Sequence, residues 1–399
     1  MSTDRARRIV MVEFPPSGGL FQFSLQLGEA LARAGNDVEL ITGPAPELES
    51  SESGCRVRSL LPTWHPAAGS EAAEWWRRAR RGVRGCQLLA AWLVLVGYLV
   101  WTRPDVVVWS EWKFPIDGFA VHVLRKMLPH AVLTMVVHEP RPLVEQPGRD
   151  TMYKTSGLTN RTFAMAYADL DVAFVLGESA RRDLLDTWPI STPVHVIPHG
   201  DERIYARTTI QAVRETGPVA LSFGTITRYK GIDTLCEAWP LVLADLPQAE
   251  LVIAGGVSAD VDRRELRAQV EGLSGVSLYV GYVPVQDVSA YFGRARCVVL
   301  PYKRSSQSGV AHLAHTLSRP VVATRVGDIP GVVEHEVSGL LVAPGESEAL
   351  AGAMLRLLTD AAEAQRMGEA GQRSLEEYAS WDHVAEALIR QLPARAEGR

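Results

Sequence analysis

Along the chain, short runs of β-branched and aliphatic residues alternate with stretches whose apolar positions recur every three or four residues. The first run covers residues 9–12 and is closed by Pro15, Pro16, Gly18 and Gly19. The stretch after it places Leu20, Phe23, Leu27, Ala30, Leu31 and Ala34 on one helical face, and Gly35 with Asn36 stops it. Residues 38–41, 106–109, 131–137, 172–176 and 194–197 are further strand-like runs. The second half repeats the pattern: 219–223 leads through a glycine turn into a helix around 234–243, followed by runs at 250–254, 276–280, 297–300, 321–324 and 340–342. Strands rich in Val and Ile, spaced by helices, predict parallel sheets covered on both faces.

Between the halves, residues 201–217 are polar and without period, and are expected to form a linker. From Ser347 the tail is helical, and Ser380–Asp382 marks the expected return of a last helix to the first domain. The pattern therefore predicts two Rossmann-like, doubly wound α/β domains, over 1–200 and 218–379, facing across a cleft. Such sheets bind ligands at the carboxyl ends of their strands.

A length of 399 residues suits two hydrophobic cores. The net charge of −5 argues against a nucleic-acid partner. Four dispersed cysteines with no C-x2-C pair argue against a zinc site or disulfide framework and favour a reducing cytoplasm. The N-terminus has no signal-peptide core. Residues 88–101 lack charge, but as a helix they reach about 21 Å, short of the roughly 30 Å hydrocarbon core. They are read as a helix packed on a sheet. Just before them, Trp75, Trp76, Arg77, Arg78, Arg80, Arg81 and Arg84 combine indoles with cations. That segment, Trp75 to Arg84, is expected to touch the inner face of a membrane peripherally.

The chemistry concentrates in the second half. In residues 222–239, SFGTITRYKGIDTLCEAW, a strand runs into Gly224, a loop ends in Lys230-Gly231, and a helix starts near Asp233, which looks like its N-cap. Loop amides and a helix N-terminus bind anions, and Lys230 adds a full charge suited to a diphosphate. This segment resembles the donor loop of family 4 retaining glycosyltransferases, in which a lysine at this place contacts the donor diphosphate. An arginine usually follows the glycine directly. Thr225 stands there, and Arg228 lies two residues before the lysine.

The resemblance extends to residues 298–342. Many members carry two glutamates there with seven residues between them; Ser305 and Leu313 occupy those positions. The segment is similar instead to a subgroup with a PY…SQSG signature, in which Ser308, Gly309 and Val310 would present donors at a helix N-terminus. In the first half, Gly18 and Gly19 match the family's glycine loop. His138 matches the histidine near the reacting sugar, with Glu139 beside it. Glu111 and Trp112, after the run at 106–109, are candidates for the acceptor side, as is Glu139. Glu39 alone is weak evidence for a dinucleotide site.

The resemblance covers residues 9 to 382 and implies the GT-B architecture. It also implies transfer from a UDP- or GDP-sugar to a hydroxyl with retention, no metal, and no cofactor beyond the nucleotide-sugar co-substrate. The acceptor is expected to be a glycan or lipid-linked precursor, as in exopolysaccharide assembly. Two alternatives stay open at this point. One is a non-catalytic nucleotide-sugar-binding partner of a membrane complex. The other is a GT-B UDP-N-acetylhexosamine epimerase.

Overall fold

The computed structural model describes residues 6–63, 74–140, 156–206, 210–305 and 307–393; of residues 74–82 it describes the helical backbone. These residues form two compact units. One comprises 6–140, 156–198 and 381–393, and the other 199–380.

In the first unit a seven-stranded parallel sheet has the order β3-β2-β1-β4-β5-β6-β7. Its strands are β1 (Arg8–Val12), β2 (Asp37–Thr42), β3 (Cys55–Ser59), β4 (Val106–Trp109), β5 (Val132–Val137), β6 (Val172–Val175) and β7 (Val194–Val196). Ile9 pairs with Val38 on one side and Val106 on the other. The pattern misses β3, because its sequence CRVRS is polar. It lies at the sheet edge, where Arg56 and Arg58 reach Glu39 at 3.4 and 3.0 Å. Arg8 at 3.8 Å and the Tyr98 hydroxyl complete the cluster around the buried Glu39 carboxylate. Burial disfavours the Glu39 anion, yet Tyr98, Arg58 and Arg8 outweigh it and hold the group below its usual value. Glu39 is thus a structural ion-pair centre within β2.

Helix α1 (Gly19–Arg33) packs against the sheet with Phe21, Leu25, Leu27 and Leu31 buried. Helix α2 spans Glu74–Thr102, well beyond the expected fourteen apolar residues, and at 29 residues is about 43 Å long. Its segment Val83–Thr102 is long and apolar enough to cross a membrane. Leu88, Ala91, Trp92, Leu95 and Leu99, however, are buried in the core of the first unit, and a spanning helix would forfeit that packing. Its other face exposes Val83, Leu89, Leu93 and Trp101, the last two at 67% and 81%. The side chains of Trp75 to Arg81 lie outside the described residues; Arg84 is half-buried. Then follow α3 (Pro115–Met127), α4 (Gly157–Asp169) and α5 (Glu178–Thr187).

The second unit holds a six-stranded parallel sheet, β10-β9-β8-β11-β12-β13. Its strands are β8 (Val219–Phe223), β9 (Glu250–Gly255), β10 (Val276–Val280), β11 (Cys297–Leu300), β12 (Val321–Thr324) and β13 (Gly339–Val342). Alternate residues feed two cores: Ala220, Leu251, Ile253 and Val299 one, Leu221, Val252, Val298 and Leu300 the other. The stretch read as a linker is built into this unit, with two short 3-10 turns that bury Ile204 and Val213. Flanking helices are α6 (Ile232–Asp245), α7 (Arg263–Glu271), α8 (Val285–Arg294), α9 (Gly309–Thr316), α10 (Ile329–Val332), α11 (Ser347–Thr359) and α12 (Ala361–Tyr378). The last helix, α13 (Trp381–Gln391), belongs to the first unit. Trp381 meets Phe23 of α1 edge-on at 5.1 Å, and Arg33 pairs with Asp382 at 2.8 Å.

Candidate functional site

In the second unit the loop after β8 is shaped by glycines. Gly224 adopts φ +97°, and a Cβ on Gly255 of β9 would lie 2.0 Å from its carbonyl oxygen. The chain then runs beside β9: Ile226 N donates to Gly256 O at 2.7 Å, and Ser258 N to Ile226 O at 2.9 Å. A single 3-10 turn, Arg228–Lys230, delivers the chain to Gly231 at φ +69°. A Cβ there would sit 1.9 Å from the Pro301 carbonyl oxygen after β11, so only glycine fits. Gly231, rather than Asp233, is the N-cap of α6: its left-handed backbone turns the chain into the helix without a side-chain cap. Asp233 accepts from Thr234 N at 3.0 Å and pairs with Lys303.

This turn folds Lys230 back over Gly224. A Cβ built on Gly224 would meet Lys230 Nζ at 3.4 Å and Val310 Cγ2 at 3.3 Å. Gly224, Lys230 and the first turn of α9 therefore share one place. Lys230 Nζ also lies 5.5 Å from the centre of the Tyr302 ring. Burial pushes the Tyr302 phenol up to about 12, so it stays neutral beside the ammonium. Ser308 caps α9, its hydroxyl accepting from Ala311 N at 3.3 Å. That leaves Gly309 and Val310 as the first residues of the helix. Gly309 is backed by His199, which stacks on His312 at 4.5 Å.

The remaining donor-side residues are placed differently. Thr225 is exposed. Arg228 Nε donates to Asp260 O at 2.7 Å, and its guanidinium lies 3.6 Å from Glu265. It faces an open recess also lined by Thr227, Asp233 and Lys303. The Ser305 hydroxyl donates to Gln307 O at 2.6 Å, and Leu313 is in the core. A glutamate at position 313 would be a buried charge, so the leucine accords with the packing.

In the first unit, Gly18 caps α1 at φ +92° and donates to Glu47 at 3.2 Å, while Gly19 is exposed with open space where a side chain would be. His138 follows β5 and is buried edge-on against Phe23 at 4.5 Å. Burial pulls it down to about 3, so the imidazole is neutral across the physiological range. Glu139 beside it is exposed. After β4, Glu111 pairs with Lys113 at 2.8 Å. Trp112, expected on the acceptor side, is instead a core residue packed on Trp109, Phe163 and Tyr167, its ring drawn inward by the aromatic cluster. Sequence reading missed Glu13, a buried acid directly after β1. An acid closing an otherwise apolar strand was the available signal.

Two doubly wound parallel sheets, the second carrying a lysine–glycine loop beside a helix N-terminus, have the architecture of the GT-B class. The comparisons carry the class further. Residues 17–200 match the model "Glycosyltransferase Family 4" and residues 217–360 the model "Glycosyl transferases group 1". An uncharacterized glycosyltransferase of Methanocaldococcus jannaschii is 28% identical, with 96% of this chain and 97% of that protein covered. Sucrose-phosphate synthase from Thermosynechococcus elongatus superposes with a TM-score of 0.69 at 21% identity, over 96% and 98% of the two chains. Anabaena HepE in complex with UDP-glucose gives 0.65 at 15%, over the same shares. The chain is a glycosyltransferase, its first half similar to family 4 and its second half to group 1.

Proposed function

We propose that this enzyme moves a sugar from a UDP- or GDP-sugar to a hydroxyl of a glycan or lipid-linked acceptor, with retention. The observation that carries this reading is Lys230 Nζ held over Gly224 beside the first turn of α9. A departing nucleoside diphosphate gathers negative charge, and a fixed ammonium with helix N-terminal amides stabilises it without reorganisation. The bond from the anomeric carbon to the diphosphate breaks, and the acceptor oxygen bonds on the same face. Its proton passes to the leaving phosphate oxygen. Neutral His138 orients the sugar by hydrogen bonding, a role that needs no charge. The first unit takes the acceptor and the second the donor. The PY…SQSG resemblance assigns Ser308, Gly309 and Val310 to the phosphates and Ser305 to the sugar or ribose.

A Lys230→Ala variant should lose two to four orders of magnitude in turnover at unchanged melting temperature; near-normal turnover would remove the assignment. A thermal-shift panel of UDP, GDP and TDP identifies the base, since the cognate nucleotide stabilises by mass action. The anomeric proton coupling of the product tests retention.

The lipid-linked acceptor finds support in α2, whose free face is apolar while its opposite face is locked into the core. Such a helix lies in the interface plane, and the arginines of its first turns suit anionic lipid. Flotation on phosphatidylglycerol vesicles that Leu93→Asp does not weaken would count against it.

A further inference from the structure

The first sheet reverses its winding between β1 and β4, with β2 and β3 to one side and β5 to β7 to the other. Loops leaving the carboxyl ends of two strands at such a point diverge and open a crevice. Glu13 follows β1 and Ser110-Glu111 follows β4, so three polar residues stand at this place.

Glu13 is 2% exposed. The Ser110 hydroxyl, itself 2.7 Å from the Ser24 hydroxyl of α1, hydrogen-bonds its carboxyl group. Among the described residues its Oε2 has no hydrogen-bond partner. A buried oxygen without a partner is costly, and a site needing mere filling would be apolar. Its backbone N donates to Ile41 O of β2 at 3.0 Å. The charges acting on Glu13 are Glu111 and Lys113 of the turn after β4. Asp117 of α3 acts on Lys113 and is otherwise held by Trp92 Nε1 and the amides of Lys113 and Phe114. Burial, helped by Glu111 and opposed by Lys113 and Ser110, pushes the Glu13 carboxyl up to about 8. At neutral pH it is an uncharged acid, both donor and acceptor, which matches an alcohol. Phosphate oxygens would meet the Glu111 carboxylate nearby.

We propose that Glu13, with Ser110 beside it, binds a hydroxyl of an uncharged polyol or sugar at the acceptor end, a role that rests on the first unit taking the acceptor. Glu13 is a specificity residue, not a base: it already holds its proton where the enzyme works.

The probes are methyl α-glucoside, methyl α-mannoside and myo-inositol, followed by saturation-transfer NMR on the full chain with saturating UDP. At pH 6.5 at least one should bind. Its affinity should fall tenfold or more by pH 9.5, as Glu13 ionises and loses its donor. Glu13→Gln, which keeps a donor and an acceptor, should retain binding and lose the pH dependence. Glu13→Ala should weaken binding tenfold or more at unchanged melting temperature.

Binding that is flat with pH, or indifferent to Glu13→Ala, overturns the role of Glu13 while leaving the first unit as the acceptor side. Probe binding that persists with UDP but is lost in Lys230→Ala and untouched at Glu13 takes down the acceptor-side reading itself. Absence of binding by all three probes to the wild type also overturns the proposal. Stability supplies a ligand-free check. A raised acid favours the folded state at low pH, and that advantage drains away between the ordinary carboxyl range and about 8. The wild type should therefore lose stability relative to Glu13→Gln as pH rises from 5 to 8; parallel curves would contradict a buried neutral acid.

Discussion

Gly231 shows how a single residue carries both fold and site. Its φ of +69° and the Pro301 carbonyl 1.9 Å from any added Cβ leave no room for a side chain. Gly231→Ala should therefore cost about 2–4 kcal/mol, combining an unfavourable backbone with a backbone clash. Urea unfolding measures that loss, and UDP affinity should fall with it because Lys230 precedes the turn. Sequence made Lys230-Gly231 visible through local order: strand, glycine, loop, lysine, helix. It could not show that Arg228 is taken by Asp260 and Glu265, since those partners come from a segment thirty residues on. Trp112 was opaque for a related reason. A tryptophan just past a strand end reads alike whether it faces ligand or, as here, Phe163 and Tyr167 from α4. His138 has a testable signature of its own. With its ring held neutral down to about pH 3, the pH–rate profile should show no inflection from it between pH 5 and 8. Loss of an inflection near pH 6.5 in His138→Gln would contradict that.

At the scale of elements, strands with two buried faces were legible almost to the residue, because aliphatic side chains dominate them. β4, β8, β11 and β12 coincide with the hydrophobic runs. The polar edge strand β3 escaped, as its partners are charges on β2 rather than core. Helix α2 was half legible. Its apolar run was plain, but the division into a core-facing and a free face needs the sheet beneath it. Helix α13 gives a prediction at this scale. Trp381→Ala removes a buried ring packed edge-on against Phe23 and should destabilise the first unit by about 3–5 kcal/mol. Native-state hydrogen exchange should show the loss in α1 and β1 and spare β8 to β13.

Across the whole molecule, buried histidines set a response to acid, and two of them sit together in the second unit. Burial holds His312 and His315 of α9 down to about 4, with the neighbouring His312 adding to the depression at His315. Below about 6.5 the unfolded chain binds these protons and the folded unit does not, so stability falls as pH drops toward 4. Each histidine contributes up to about 1.4 kcal/mol per pH unit across that window. The gap in unfolding free energy between wild type and His315→Gln should narrow or reverse from pH 7 to pH 5; a constant gap would mean that His315 is already charged.

The return of α13 to the first unit also has a meaning in time. The residues that cover Phe23 and pair with Arg33 are translated after every residue from 199 to 380. The second unit's sheet is therefore made, and free to fold, while the first still lacks the helix that seals α1. During synthesis the apolar patch around Phe23 stays open to water for the length of an entire domain. A ribosome-stalled chain ending at residue 380 should accordingly bind a hydrophobic dye or a holdase at that patch, and one ending beyond α13 should release it.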